Sequence, residues 1–138
     1  MSPDYILIFE NEYVRSLYPF SILHMQWEVR CGAFRVFEKI QRRFPLAKLL
    51  FHSQREKTFG LFLKKFGISR HPIQRGNVLV INSGILPMEK FWQSLFSAYE
   101  KFTMEQELTK SVVFEANGVP LAFYISESDI INPTEFDV

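Results

Sequence analysis

The chain has 138 residues, 47% of them hydrophobic and 22% charged, with a formal net charge of +1. That length suits one domain with one core, and the composition excludes a disordered chain. The near-neutral balance argues against a dedicated nucleic-acid binder, and the apolar runs fall far short of the ~20 residues that a membrane-spanning helix needs.

The first element is Tyr5–Phe9, YILIF. A continuous apolar run of this length predicts a strand covered on both faces. A connector of about twenty residues follows, long for a compact domain and rich in aromatic and polar groups. The next pattern, AFRVFEKIQRRF, places Ala33, Val36, Phe37, Ile40 and Phe44 at helical spacing and stops at Pro45. Residues 48–51, KLLF, predict a second strand. Phe59, Phe62, Leu63 and Phe66 predict an amphipathic helix that Gly67 ends. Residues 77–81, NVLVI, predict a third strand, and Asn82-Ser83-Gly84 follows it directly. Pro87 occupies the first position of a helix striped by Phe91, Leu95, Tyr99 and Phe102. Residues 112–115 and 121–125, joined through Asn117-Gly118, predict a two-residue-turn hairpin.

Strands alternating with helices give a Rossmann-like α/β fold, a three-layer αβα arrangement with a mostly parallel sheet and a C-terminal hairpin. The expectation is a single domain over 1–138. Its tail, INPTEFDV, carries no stop signal and suggests the N-terminal part of a longer protein. Fifteen phenylalanines imply a core built of large rings. One cysteine, Cys31, permits no internal disulfide, and without a signal peptide the chain reads as cytoplasmic.

Charge is unevenly spread. Between 35 and 75, eleven Lys and Arg face only Glu38 and Glu56, a balance of +9; from 100 to 138, eight acids face Lys101 and Lys110, a balance of −6. The ordinary explanation is solvated helix faces; the sharper one is a polyanion site.

Ligands of open α/β sheets bind beyond the carboxyl ends of the strands, which here means the long connector and residues 82–86. The connector meets its helix through Glu28, Arg30, Cys31 and Gly32. Free amides at a helix start attract anions, glycine allows close approach, and Arg30 could fork onto a phosphate or carboxylate. His24 is a candidate base or phosphate contact, and Asn82 and Gly84 suit a loop that meets a sugar or base. The three histidines and Cys31 have no metal-ligand spacing, so no metal ligands are assigned. Neither GxGxxG nor GxxxxGK[ST] occurs.

The run YILIFE, then LYPFS, then WEVRCGAFRVFEKIQRRFP resembles the N-terminal domain of a bacterial family of sugar nucleotidyltransferases similar to N-acetylglucosamine-1-phosphate uridylyltransferase. Leu17, Pro19 and Ser21 match its L-x-P-L-[ST] element, Glu28, Arg30 and Gly32 match E-x-R-x-G, and Asn82 matches an asparagine after a strand. The family's R-P pair is replaced by His24-Met25. Where the wider superfamily has G-x-G-T-R, only Arg15 stands in, and where it has an Asp that holds Mg²⁺ this chain reads INSGI.

The resemblance implies a nucleotide or sugar phosphate as ligand, transfer of a nucleotidyl group to a sugar phosphate as activity, Mg²⁺ as the ion of such a reaction, and a following left-handed β-helix domain. The site residues it and the loops suggest are Arg15, Pro19, Ser21, His24, Glu28, Arg30, Gly32, Asn82 and Gly84. Two usual parts, the glycine turn and the metal-binding Asp, are missing, so binding is better supported than turnover. A second reading is a non-catalytic module that docks on the β-helix acyltransferase-type domain and supports oligomerisation. A third, a polyanion binder using the basic middle, conflicts with aromatics at helical core spacing.

Overall fold

The computed structural model describes residues 1–10, 17–69, 75–105 and 111–128. Strands β1 (Tyr5–Phe9), β2 (Arg30–Cys31), β3 (Phe34–Arg35), β4 (Lys48–His52), β5 (Gly76–Asn82), β6 (Ser111–Ala116) and β7 (Val119–Ser128) alternate with helices α1 (Val36–Arg43), α2 (Glu56–Phe66) and α3 (Glu89–Glu105). The main sheet has five strands in the order β4-β1-β5-β7-β6. β1 runs parallel to both β4 and β5, pairing Leu7 with Leu50 on one side and with Val80 on the other. β7 lies antiparallel to β5 and closes the hairpin with β6. This is the mixed α/β, Rossmann-like fold that the alternation predicts.

The apolar run of β1 has no polar alternation because neither face is wet: Ile6, Leu7 and Ile8 are fully buried. Ile6, Ile8, Leu79 and Ile81 point to one face, where they join the buried side chains of all three described helices: Phe37 and Ile40 of α1, Phe59 and Phe62 of α2, Trp92 and Leu95 of α3. Leu7, Phe9, Leu50, Val78 and Val80 form a second buried cluster on the opposite face.

The helix-side core is a network of edge-to-face rings. Phe62 lies 4.9 Å from Phe51, 5.4 Å from Phe37 and 5.4 Å from Trp27, and Phe44 lies 5.2 Å from Trp92. Such pairs add about 0.5–1.5 kcal/mol each beyond their burial. The phenylalanine spacing in the sequence is therefore a packing pattern.

Three local features are explained by backbone chemistry. Asn117 (φ 52°) and Gly118 (φ 77°) take the left-handed conformations of a primed hairpin turn. Gly67 caps α2 with φ 64°. α3 begins at Glu89, so Pro87 precedes the helix instead of opening it; the Met88 carbonyl accepts from the Phe91 and Trp92 amides and takes the capping place.

α1 begins at Val36, three residues later than its apolar spacing suggests. Arg30–Cys31 and Phe34–Arg35 pair as a small hairpin, with Gly32 at φ 77° in its turn, and the Val36 amide donates to the Val29 carbonyl at 2.9 Å. Gly32 is thus a hairpin-turn residue and not a helix-start residue. The true start is held by the Glu38 half of a capping box: the Arg35 amide donates to Glu38 Oε1 at 3.1 Å, and Arg35 Nη1 donates to the same oxygen at 3.0 Å.

The Arg35 amide, followed by its guanidinium, holds the Glu38 carboxyl below its ordinary value of 4.5. A carboxylate with a lowered folded-state value stabilises the fold above the ordinary value, and that contribution disappears as pH falls through the lowered one. Glu38→Gln is expected to cost about 0.5 kcal/mol at neutral pH, small because the group is partly exposed. The gap between the two chains should close as urea titrations move below pH 4.5. A gap that persists in acid would show that the carboxylate charge contributes nothing.

Candidate functional site

Three parallel strands end together, and β1 is the point where the strand order reverses: the chain leaves it for β4 on one side and later returns to β5 on the other. A crevice at such a point is the default ligand position in open α/β sheets. The Ser83 amide donates to the Phe9 carbonyl at 2.9 Å, and the Glu10 amide donates to the His52 carbonyl at 3.4 Å, so the three carboxyl ends are tied to one another.

Over these ends the connector folds inward. It forms single 3-10 turns at Phe20–Ile22 and Gln26–Glu28, with a cis peptide between Tyr18 and Pro19. Met25, Gln26, Trp27 and Glu28 are all buried. Trp27 sits 5.1 Å from Phe51 and 5.9 Å from Phe59, inside the helix-side core. The connector is a structural lid over the sheet end, built from its own large side chains.

A chain of polar groups spans the rim beneath it. Ser53 Oγ donates to Glu10 Oε1 at 2.8 Å, the Gln26 amide donates to Glu10 Oε2 at 2.6 Å, and Ser83 Oγ donates to Gln26 Oε1 at 2.6 Å. The Arg55 guanidinium forks onto Glu10, with Nε 2.9 Å from Oε1 and Nη2 2.6 Å from Oε2. Its remaining donors reach the carbonyls of Ser21 and of His24, the latter at 2.9 Å. The Glu10 side chain is only 4% exposed. A buried carboxylate needs this many donors, because an unpaired one would be expelled or neutralised.

The expected site residues divide into groups. Arg15 lies outside the described residues. Pro19 is exposed at the cis peptide. Ser21 is fully buried, and its hydroxyl has no hydrogen-bond partner among the described residues. Glu28 is buried and central: its Oε2 accepts from the Met25 amide at 2.6 Å, while Oε1 lies 3.5 Å from His24 Nδ1 and 3.4 Å from Lys65 Nζ of α2. The His24 ring stacks on Phe20, with centroids 4.5 Å apart. Glu28 and His24 are therefore brought together with Ser21 in one folded connector.

Arg30 is not brought there. It is exposed on the small hairpin, and its Nη1 donates to the Ala33 carbonyl at 3.2 Å. With Gly32 in the turn beside it, the pair does not form the amide-plus-guanidinium anion hollow at a helix start that the sequence suggests. Asn82 instead organises the second loop: its Oδ1 accepts from the Gly84 amide at 2.9 Å, and its Nδ2 donates to the Pro120 carbonyl at 3.3 Å.

The residues that dominate the rim, Glu10, Ser53, Arg55, Gln26 and Ser83, carry no motif. The sequence signal is slight: a carboxylate, Glu10, directly after β1 and a guanidinium, Arg55, three residues after β4.

The described residues do not fit a metal ion at this rim. No three His, Cys, Asp or Glu side chains gather where they could hold one, and the nearest carboxylate, Glu10, is fully engaged by Arg55, Ser53 and Gln26. Among the described residues, no helix is long and apolar enough to cross a membrane.

A family model described as sugar nucleotidyl transferase matches residues 6–133 of the chain. No curated protein matches it, and neither does any solved structure.

Proposed function

The chain belongs to the sugar nucleotidyl transferase family, and from that premise we propose that it binds a nucleotide or sugar nucleotide across the carboxyl ends of β1 and β5, without the arrangement for turnover on its own. Family membership supports the ligand class, and the reversal of strand order at β1 supports the place. The observation that carries the reading is the Ser21 hydroxyl: buried, without a partner among the described residues, and on a connector that Arg55 holds through the Ser21 carbonyl. A buried polar group that lacks a partner calls for an explanation, and a ligand hydroxyl or phosphate oxygen entering under the connector supplies one.

Arg15, Pro19, His24, Asn82 and Gly84 remain the proposed surroundings of the ligand. Glu28 acts as a positioning residue that fixes the Met25 turn, and Arg30 and Gly32 would contribute only through the hairpin that carries them. Transfer to a sugar phosphate requires the pyrophosphate charge to be neutralised, and the partly buried guanidinium that the described residues place at the rim, Arg55, is already committed to Glu10.

A second reading is favoured by one observation. Tyr18, Ile22 and Leu23 on the connector and Leu86 and Met88 after β5 are all more than half exposed. Apolar exposure on both loops of one rim fits a surface that docks on another domain, such as a β-helix.

Calorimetric titration separates the two. Nucleoside triphosphates and sugar nucleotides are expected to give saturable heats with or without Mg²⁺, weakened about tenfold by Ser21→Ala, a loss equal to one hydrogen bond to a charged group. No heat with any of them would overturn binding and leave the docking reading.

A further inference from the structure

We propose that the outer edge of β4, with the groove beside it, takes up an extended acidic peptide segment as an added strand. β4 ends the sheet, paired with β1 alone among the described strands. The Lys48 amide donates to the Asp4 carbonyl, and the His52 carbonyl accepts from the Glu10 amide, so residues 48 and 52 face β1. Backbone groups alternate along a strand, which turns the N–H and C=O of Leu49 and Phe51 outward. An edge of this kind is a template for a further strand.

The edge is also furnished for side chains. A cavity of about 500 Å³ runs beside it, lined by Phe34, Phe37, Leu49, Phe51 and Ile68. An added strand would place alternate side chains into this apolar floor, which gives selectivity where the backbone alone gives only affinity.

Charge selects the occupant. Arg42 and Lys48 line the same groove and are exposed, and Arg42 lies 4.3 Å over the Phe34 ring. The groove's own carboxylate, Glu38, is occupied by Arg35. The net field is positive, so an acidic segment is attracted. A second copy pairing through its own β4 would bring more of the same positive charge to a positive edge, which disfavours it. Lys48 thus discourages self-pairing while favouring an acidic partner. The inference does not depend on the reading of the carboxyl-end rim.

A short labelled peptide of alternating valine and glutamate, titrated with the full chain and followed by fluorescence anisotropy, tests it. Saturable binding is expected, weakening steadily with salt, with amide shifts at Leu49 and Phe51 in a ¹⁵N spectrum. N-methylation of alternate peptide amides, which removes donors without touching the protein, should weaken binding about tenfold. Lys48→Glu should weaken the acidic peptide and strengthen its lysine counterpart. Absence of binding, indifference to N-methylation, or a dimer in sedimentation that the peptide does not displace would each overturn the proposal.

Discussion

Arg55→Ala is expected to cost the fold about 3–5 kcal/mol, because it strands a buried carboxylate. The guanidinium supplies Glu10 with two parallel bonds, at 2.9 and 2.6 Å, and pins the connector through the carbonyls of Ser21 and His24. Removing it leaves Glu10, 4% exposed, with only the Ser53 hydroxyl and the Gln26 amide among the described residues. Arg55→Lys should recover only part of the loss, since an ammonium cannot fork onto both oxygens and reach two carbonyls as well. In urea the midpoint should fall at nearly constant slope, and the melting temperature by about 10 °C. Glu10→Gln combined with Arg55→Ala should cost less than the sum of the two changes, the sign of direct coupling. Hydrogen exchange at the Met25 and Gln26 amides should accelerate more than at β1, because the connector loses its anchor before the sheet does. A cost below about 1 kcal/mol would mean that the pair behaves as a surface ion pair and that the connector is held by packing alone.

The contrast between legible and illegible parts follows from sequence distance. Tyr5–Phe9, the Asn117-Gly118 turn and the Gly67 cap are written in adjacent residues, and the structure places them where the sequence does. The phenylalanine stripes of α2 are legible for the same reason: one helix face reports itself by its period. The rim is different. Arg55 stands 45 residues from Glu10, and Ser83 stands 57 from Gln26, with no period or motif joining either pair. A basic middle segment reads as a solvated face, yet Arg55 turns inward and Lys65 reaches back to Glu28. Part of the apparent polyanion surface is thus answered by the chain's own acids. Gly32 misleads in the opposite direction, since glycine suits a helix start and a left-handed turn equally well until Val36 is seen bonding back to Val29.

Trp27→Ala is expected to be equally damaging, at about 3–5 kcal/mol, although the residue lies in a connector and connectors usually tolerate change. Trp27 is fully buried, and its ring meets those of Phe51, Phe59 and Phe62, which belong to β4 and α2. The connector is therefore a piece of core that happens to lack regular secondary structure. Its removal opens a cavity between two elements with no neighbour free to fill it. The indole N–H has no partner among the described residues, which separates two contributions that usually act together. Trp27→Phe keeps an aromatic ring in the edge-to-face array and deletes the unsatisfied donor, so it should cost about 1 kcal/mol or less, far below the alanine change. Urea unfolding followed through the remaining Trp92 measures both. Equal losses for Phe and Ala would mean that the indole's size, or a bond from its nitrogen, dominates. A small loss for Ala would mean that the connector is a surface loop, and the polar rim below it would then lie open to solvent rather than sealed beneath a ring.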